Sequence, residues 1–275
     1  MTDSRAALEA IGQLPDGEID IADAALQLAR VDAPDADWQA ARAGLSELAR
    51  NAAELARDVP DDDLSARAGA LAGLIGGRHG YAGDMQSYDD PANANLIRVT
   101  ERKLGLPVSL GILWLHAARA AGWAAHGVDF PGHFLIALQG RDSKVVLDVF
   151  DGGTPLDPKD LRALIKRVEG PQAELRPGVL QAMGSRDVLL RLQNNIKTRR
   201  LQQNDLAGAL TCAEDMLLIA PDYSVLWRES ALINQRLDRV GAALRCFERF
   251  LKLVPQGEAA SRARAAMDEL RSRLN

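Results

Sequence analysis

The feature that most limits the fold of this chain is a doubled spacing in its last quarter. Pro221 and Pro255 are 34 residues apart, and each follows a stretch of helical hydrophobic periodicity. The same interval relates Ala209 to Ala243, which stand 12 residues before the two prolines. Because proline lacks a backbone N–H and ends a helix, this spacing predicts a helix–turn–helix unit that is used twice.

A period of 34 residues is typical of tetratricopeptide repeats. Trp227 stands where this repeat carries its tryptophan, whereas Ser230 and Asn234 replace the usual leucine and tyrosine. Only about two repeats fit the chain, which is fewer than a free-standing solenoid needs. The alternative that the pattern leaves open is a generic pair of helical hairpins.

The residues before this tail mix helical and strand-like patterns. Apolar residues at spacings of three and four predict helices in the first 75 residues and again at 110–121. Three short segments rich in β-branched and aromatic residues follow at 124–130, 134–139 and 144–149, and we predict that they are strands. The pattern is helical again after them. The sequence therefore predicts an α+β fold with a small antiparallel sheet between helices.

Composition and charge limit the class of partner. The chain has 38 acidic and 33 basic residues, a formal net charge of −5, which argues against a nucleic-acid partner. It has no apolar signal core and no run of about 18 apolar residues, so we expect no membrane span and a cytoplasmic location. Cys212 and Cys246 lack a CxxC or Cys/His pattern, so we expect no metal site and no cofactor.

One histidine and one acid stand at positions suited to chemistry. His133 opens a predicted strand after the turn at 130–132, and Asp148 ends the next predicted strand. A hairpin turn near 140–143 would bring the far ends of these antiparallel strands together. We therefore expect a hydrogen bond between the two side chains. An acid that orients an imidazole supplies two of the three members of a nucleophilic triad.

The third member would stand at the start of the predicted helix 110–121. The helix dipole stabilises a thiolate there, but this stretch contains no cysteine. Ser109 is the available hydroxyl, and it has two interpretations. It is either a nucleophile or the N-cap of the helix, and the N-cap role needs no further partner.

Several runs of sequence resemble the SirB family, whose members carry a transglutaminase-like domain followed by tetratricopeptide helices. The two longest are RKLGLPVSL and GVDFPGHF, and shorter ones lie at 90–93, 148–153 and 193–197. The resemblance covers residues 35–275. It implies a papain/transglutaminase-like core with N-terminal helices over residues 1–180, and a tetratricopeptide-like helical domain over residues 181–275.

The resemblance also implies roles for individual residues. His133 matches the catalytic histidine of the transglutaminase-like superfamily, and Asp148 matches the acid that orients it. The catalytic cysteine has no counterpart, because its position falls near Pro107, two residues before Ser109. The SirB-type pattern itself usually has proline and serine here, so the chain is typical of that family.

Two functions remain open. The missing cysteine favours a non-catalytic protein with a regulatory, binding or scaffold role, in which the helical tail binds a protein or peptide. The alternative is a hydrolase of acyl or amide bonds, in which Ser109 attacks, His133 is the general base and Asp148 orients it.

Five polar residues within the family-like runs are candidates for lining a groove: Asn93, Arg102, Asn194, Asn195 and Lys197. For Arg102 the favoured alternative is a solvent-facing side chain. For the last three residues, hydrogen bonds that only support packing are equally consistent with the pattern.

Overall fold

The computed structural model describes residues 2–60, 62–176 and 178–273. The chain divides into two compact units, one of residues 14–192 and one of residues 2–13 with 193–273. The domain limits expected from the sequence differ from this division. The boundary between the units lies after residue 192, within a helix, rather than after residue 180. Residues 2–13 belong to the second unit because the first helix packs against a helix of that unit.

Twelve α-helices occur in the described residues and are numbered in chain order. They are α1 (Thr2–Gly12), α2 (Ile21–Asp32), α3 (Trp38–Leu55), α4 (Leu64–Ala72), α5 (Leu96–Arg102), α6 (Pro107–Ala120), α7 (Pro158–Glu169), α8 (Ser185–Gln202), α9 (Leu206–Ile219), α10 (Ser224–Arg236), α11 (Val240–Leu253) and α12 (Glu258–Ser272). The side-chain carboxylates of Asp20, Asp37 and Asp63 accept hydrogen bonds from backbone N–H groups in the first turns of α2, α3 and α4, respectively. These caps satisfy N–H groups that have no partner within the helix, and so they fix where each helix begins.

The sheet of the first unit has five strands: β3 (Ala125–Phe130), β4 (His133–Gln139), β5 (Lys144–Asp148), β6 (Thr154–Leu156) and β7 (Ala182–Met183). All neighbouring strands are antiparallel, and their order across the sheet is β6-β5-β4-β3-β7. A separate two-residue parallel pair joins β1 (Ala82–Gly83) to β2 (Leu104–Gly105). The three predicted strands are thus present within one residue of their expected ends, whereas the four short ones were not predicted.

Helices cover both faces of this sheet. On one face, Leu161, Leu164 and Ile165 of α7 form a buried cluster with alternate residues of β3, β4 and β5. On the other face lies α6, whose Gly111 meets the ring of Phe134 so closely that a Cβ on the glycine would lie 2.2 Å from the ring. The predicted burial of this helix on most sides is confirmed, because most of its residues are buried.

The second unit contains the paired helices that the 34-residue spacing predicts. Helix α9 ends before Pro221 and α11 ends before Pro255, as expected for a proline that cannot continue a helix. The indole N–H of Trp227 donates to the carbonyl oxygen of Pro221 at 2.8 Å. Ala243 and Phe247 of α11 are buried in the cluster that joins α10, α11 and α12.

Helix α1 packs against α9 within this second unit. The Nε of Arg5 donates to the carboxylate of Asp215 at 3.0 Å, and the Asp215 side chain is almost fully buried. Burial raises the pKa of Asp215 to about 6, and the Arg5 guanidinium limits the rise. The N-terminal helix is therefore held by an ion pair as well as by apolar packing.

Candidate functional site

The structure brings the side chains of His133 and Asp148 together. The register that pairs Ile136 with Leu147 places the two residues diagonally on one face of the β4–β5 hairpin. The Nε2 atom of His133 lies 2.9 Å and 3.0 Å from the two carboxylate oxygens of Asp148. Both side chains are largely buried, with 14% and 12% of their surface exposed. Water therefore competes little for this hydrogen bond.

The carboxylate of Asp148 is held in its charged form. Burial raises the pKa of Asp148, but the hydrogen bond and charge of His133 and the backbone N–H groups of Phe150 and Asp151 outweigh it. The net pKa lies below the ordinary value for aspartate. An anionic acceptor at Nε2 places a proton on that nitrogen and leaves Nδ1 for another partner. Nδ1 makes no hydrogen bond to any residue in the described ranges.

Aromatic rings border the imidazole. The ring of Phe150 stands edge-on to His133 with centroids 6.4 Å apart, and Tyr88 stands edge-on to Phe150 at 5.7 Å. A Cβ at Gly83 would come within 2.6 Å of Phe150, so β1 closely backs this ring. On the same loop as Tyr88, the side chain of Met85 is 84% exposed. The His133–Asp148 pair thus has an aromatic wall formed by Phe150 and Tyr88.

Arg191 of α8 fixes the backbone at the start of β4. Its guanidinium donates to the carbonyl oxygen of His133 at 2.7 Å and forms an ion pair with Asp129 of β3. It also lies 5.8 Å from the ring centroid of Phe134. Arg191 therefore ties together both strands beside the turn at Gly132, whose φ of +64° favours glycine.

Ser109 is not the N-cap of helix α6. Helix α6 begins at Pro107, three residues before the expected start, and Leu106 is its N-cap. Ser109 therefore lies within the first turn, and the N-cap interpretation was wrong. Its hydroxyl has two acceptors, the carbonyl oxygens of Asn93 at 2.7 Å and Leu106 at 3.0 Å. Ser109 is 0% exposed, and no hydrogen bond in the described residues joins it to His133.

Asn93 and Arg102 meet in a buried polar network of the first unit. The amide of Asn93 donates to the carboxylate of Asp84 at 3.0 Å and to the carbonyl oxygen of Ser87 at 2.7 Å. Arg102 donates to Asp84 at 3.2 Å and to the Asn93 side-chain oxygen at 3.3 Å, and it pairs with Asp90 at 3.0 Å. The Arg102 side chain is 31% exposed, so part of it faces solvent, but its guanidinium is also paired with two acids of the preceding loop.

The other three groove candidates lie on α8 in the second unit. Lys197 is 3% exposed and forms an ion pair with Glu229 of α10. Asn194 and Lys197 line a cavity of about 860 Å³ between α8 and α10. Asn195 does not line this cavity, and its carbonyl oxygen accepts a hydrogen bond from Arg199 at 3.3 Å. The five candidates therefore fall into two sets, one in each unit.

Sequence reasoning did not identify several residues that build these sites. They are Asp84, Tyr88, Phe150, Arg191, Glu229 and Arg236. Within the described residues, no three His, Cys, Asp or Glu side chains cluster in a way that would hold a metal ion. No helix in these ranges is long and apolar enough to cross a membrane.

An antiparallel sheet with a buried helix on one face and a His–Asp pair on its hairpin, followed by paired helices, defines a transglutaminase-like domain with tetratricopeptide helices. Family comparison agrees. Residues 40–194 match the model of the transglutaminase-like superfamily, and residues 196–268 match a tetratricopeptide repeat. The chain belongs to the transglutaminase-like superfamily and is a SirB-type member of it. The predicted fold class is confirmed.

Several bacterial proteins are similar to this chain in sequence. A UPF0162 protein of Xylella fastidiosa is 34% identical over 179 residues, and the match covers 64% of each chain. A UPF0162 protein of Vibrio cholerae is 28% identical over 92% of this chain and 93% of its own. Protein SirB1 of Salmonella typhimurium is 23% identical over 73% of this chain and 74% of its own. No solved structure matches the chain.

Proposed function

We propose that this chain is a transglutaminase-like protein that catalyses no reaction and acts by binding a protein or peptide, in a regulatory or scaffold role. The observation that carries the proposal is the state of Ser109, the hydroxyl-bearing residue nearest in sequence to the position of the missing cysteine. Its hydroxyl is buried and directed at two backbone carbonyl oxygens. A nucleophile needs its base within about 3 Å, with some allowance for a site without ligand.

The cysteines support the same proposal. Cys212 and Cys246 are the only cysteines in the chain, and they lie on α9 and α11 of the second unit. Burial raises the pKa of Cys246, which disfavours its thiolate, and Cys212 is buried. The Cys212 sulfur lies 3.5 Å from a guanidinium nitrogen of Arg200, but this residue is only 1% exposed, and a buried thiol is closed to a substrate.

In this proposal the His133–Asp148 pair contributes structure or ligand binding. Its hydrogen bond joins the ends of β4 and β5, and Nδ1 offers one hydrogen-bonding position beside the aromatic wall. The helical tail supplies the partner-binding surface, as tetratricopeptide repeats generally do. The net charge of −5 favours a protein partner over nucleic acid. The sequence has only two cysteines and therefore no disulfide framework, which favours a cytoplasmic location in this proposal.

The competing function is a hydrolase that uses Ser109, His133 and Asp148. It requires the Ser109 hydroxyl to leave the carbonyl oxygens of Asn93 and Leu106 and to approach His133. A serine-directed fluorophosphonate and a cysteine-directed acyl probe distinguish the two functions, with adducts located by peptide mass spectrometry. We expect no adduct on Ser109 in the wild-type protein, and the same pattern in the Ser109→Ala variant and in Ser143→Ala, a control in an exposed turn.

One labelling result would contradict the proposed function. An adduct on Ser109 that is absent from a folded His133→Ala variant would mean that the histidine activates the serine, and the proposal would be wrong. Circular dichroism of each variant shows whether it is folded. His133→Gln provides a second test if the alanine variant does not fold, because glutamine keeps a hydrogen bond to Asp148 but is no base.

A further inference from the structure

The cavity between α8 and α10 has an unusual wall. The side chain of Lys197 is only 4% exposed, yet among the described residues its ammonium group has one hydrogen-bonding partner, Glu229. An ammonium group has three N–H donors, so two of them are unused. A buried charge with unused donors is costly unless another group satisfies them. The Lys197 side chain lines this cavity together with Glu229.

The other residues that line the cavity follow one another along helices α8 and α10. Lys197 and Leu201 lie one turn apart on α8, and Glu229, Leu232 and Arg236 follow at helical spacing on α10. Leu232 is 46% exposed, which makes it an apolar surface in the middle of the cavity. The cavity therefore has a cation near each end and apolar side chains between them.

The charges of this wall do not cancel. Three cationic side chains, those of Lys197, Arg236 and Arg273, face one acid, Glu229. The guanidinium of Arg236 has no ion pair or hydrogen bond with any described residue, and Arg273 pairs with Asp238. The protein as a whole is acidic, with a net charge of −5, so this cationic cavity differs from the rest of the surface.

We propose that this cavity binds a short acidic peptide segment, with one carboxylate at Lys197 and Asn194, an apolar side chain on Leu232 and a second carboxylate at Arg236. The seven steps along the helix from residue 194 to residue 201, or from residue 229 to residue 236, span about 10 Å. This length corresponds to about three residues of extended peptide. Guanidinium and ammonium groups favour carboxylates through charge-assisted hydrogen bonds.

This inference deepens the proposed binding role and rests on it for its biological meaning. It does not depend on the chemistry of His133, and the two claims are tested by different measurements. Failure of peptide binding would leave the catalytic silence of the first unit unaffected, and an acyl adduct on Ser109 would leave the cavity unaffected.

The test uses fluorescence anisotropy with the full chain at low ionic strength. The probe is a fluorescein-labelled pool of pentapeptides that has Asp or Glu at positions one, two, four and five and Leu, Ile, Val or Met at the centre. The matched pool replaces each acid by its amide. We expect the acidic pool to bind, and the amide pool to bind at least about tenfold more weakly, because the carboxylates supply the specific contacts.

Variants locate the binding site. Arg236→Gln is expected to weaken binding about fivefold, and Leu232→Ser to weaken it by a similar factor. Arg228→Gln is the control, because it makes the same charge change on α10 away from the cavity, and it is expected to change affinity less than about twofold. Equal binding of the two pools, no binding up to about 1 mM probe, or equal effects of Arg236→Gln and Arg228→Gln would each overturn the proposal.

Discussion

Replacing Phe134 by alanine is expected to lower the free energy of unfolding by about 4 kcal/mol. The ring is 1% exposed and lies between α6 and the sheet, where Gly111 and Gly127 both approach it closely. Its removal leaves a cavity at the contact between the two main elements of the first unit, and these elements are too extensively packed to collapse into it. Urea denaturation followed by circular dichroism measures the change.

A double-mutant cycle tests the cause of this effect. In a helix interior, Gly→Ala normally stabilises by about 1 kcal/mol, yet Gly111→Ala is expected to destabilise the wild-type protein by about 2 kcal/mol, since its Cβ would collide with Phe134. In the Phe134→Leu background the same change is expected to cost much less. Equal costs in both backgrounds would show that the ring does not set the distance between helix and sheet.

Replacing Asn93 by leucine is expected to cost about 3 kcal/mol of stability. Asn93 is fully buried, and leucine has a similar size but no polar atom. The change leaves the carbonyl oxygen of Ser87 without its amide donor and removes one donor from Asp84. Buried polar groups that lose their partners cost more than the hydrogen bond itself contributed.

The Gln86→Leu variant is the control for this experiment. Gln86 is an exposed side chain in the same loop, so its replacement is expected to cost less than about 0.5 kcal/mol. Thermal and urea unfolding of both variants give the comparison. A loss below about 1 kcal/mol for Asn93→Leu would mean that the network of Asp84, Asn93 and Arg102 does not hold the loop.

The parts of the site that could be predicted are those set by local geometry. The pairing of His133 with Asp148 follows from two adjacent strands and the turn between them, because antiparallel pairing is fixed once the turn is known. The start of α6 was predicted three residues too late, although the sequence contains a signal for it. Pro107 is well suited to the first position of a helix, and this signal places Ser109 inside the first turn.

The parts that could not be predicted depend on residues distant in sequence. Arg102 looks like a surface cation in the sequence, and only the folded chain surrounds it with Asp84 and Asp90. Lys197 and Glu229 are 32 residues apart on different helices, so no local pattern indicates their ion pair. The very short strands β1 and β2 have too few residues to show a period.

If the proposed function is right, no nucleophile lies within reach of His133, and a thiol introduced at position 109 reports on this. The measurement is the rate at which iodoacetamide modifies the introduced thiol in native Ser109→Cys, with peptide mass spectrometry to separate it from Cys212 and Cys246. Ser143→Cys, in an exposed turn, is the accessible control. We expect the thiol at position 109 to react at least about a hundredfold more slowly than the control in the native protein and equally fast in urea, because the site is buried. Rapid native modification that slows in a His133→Gln background would contradict the proposed function, since it would show an accessible nucleophile position that the histidine activates.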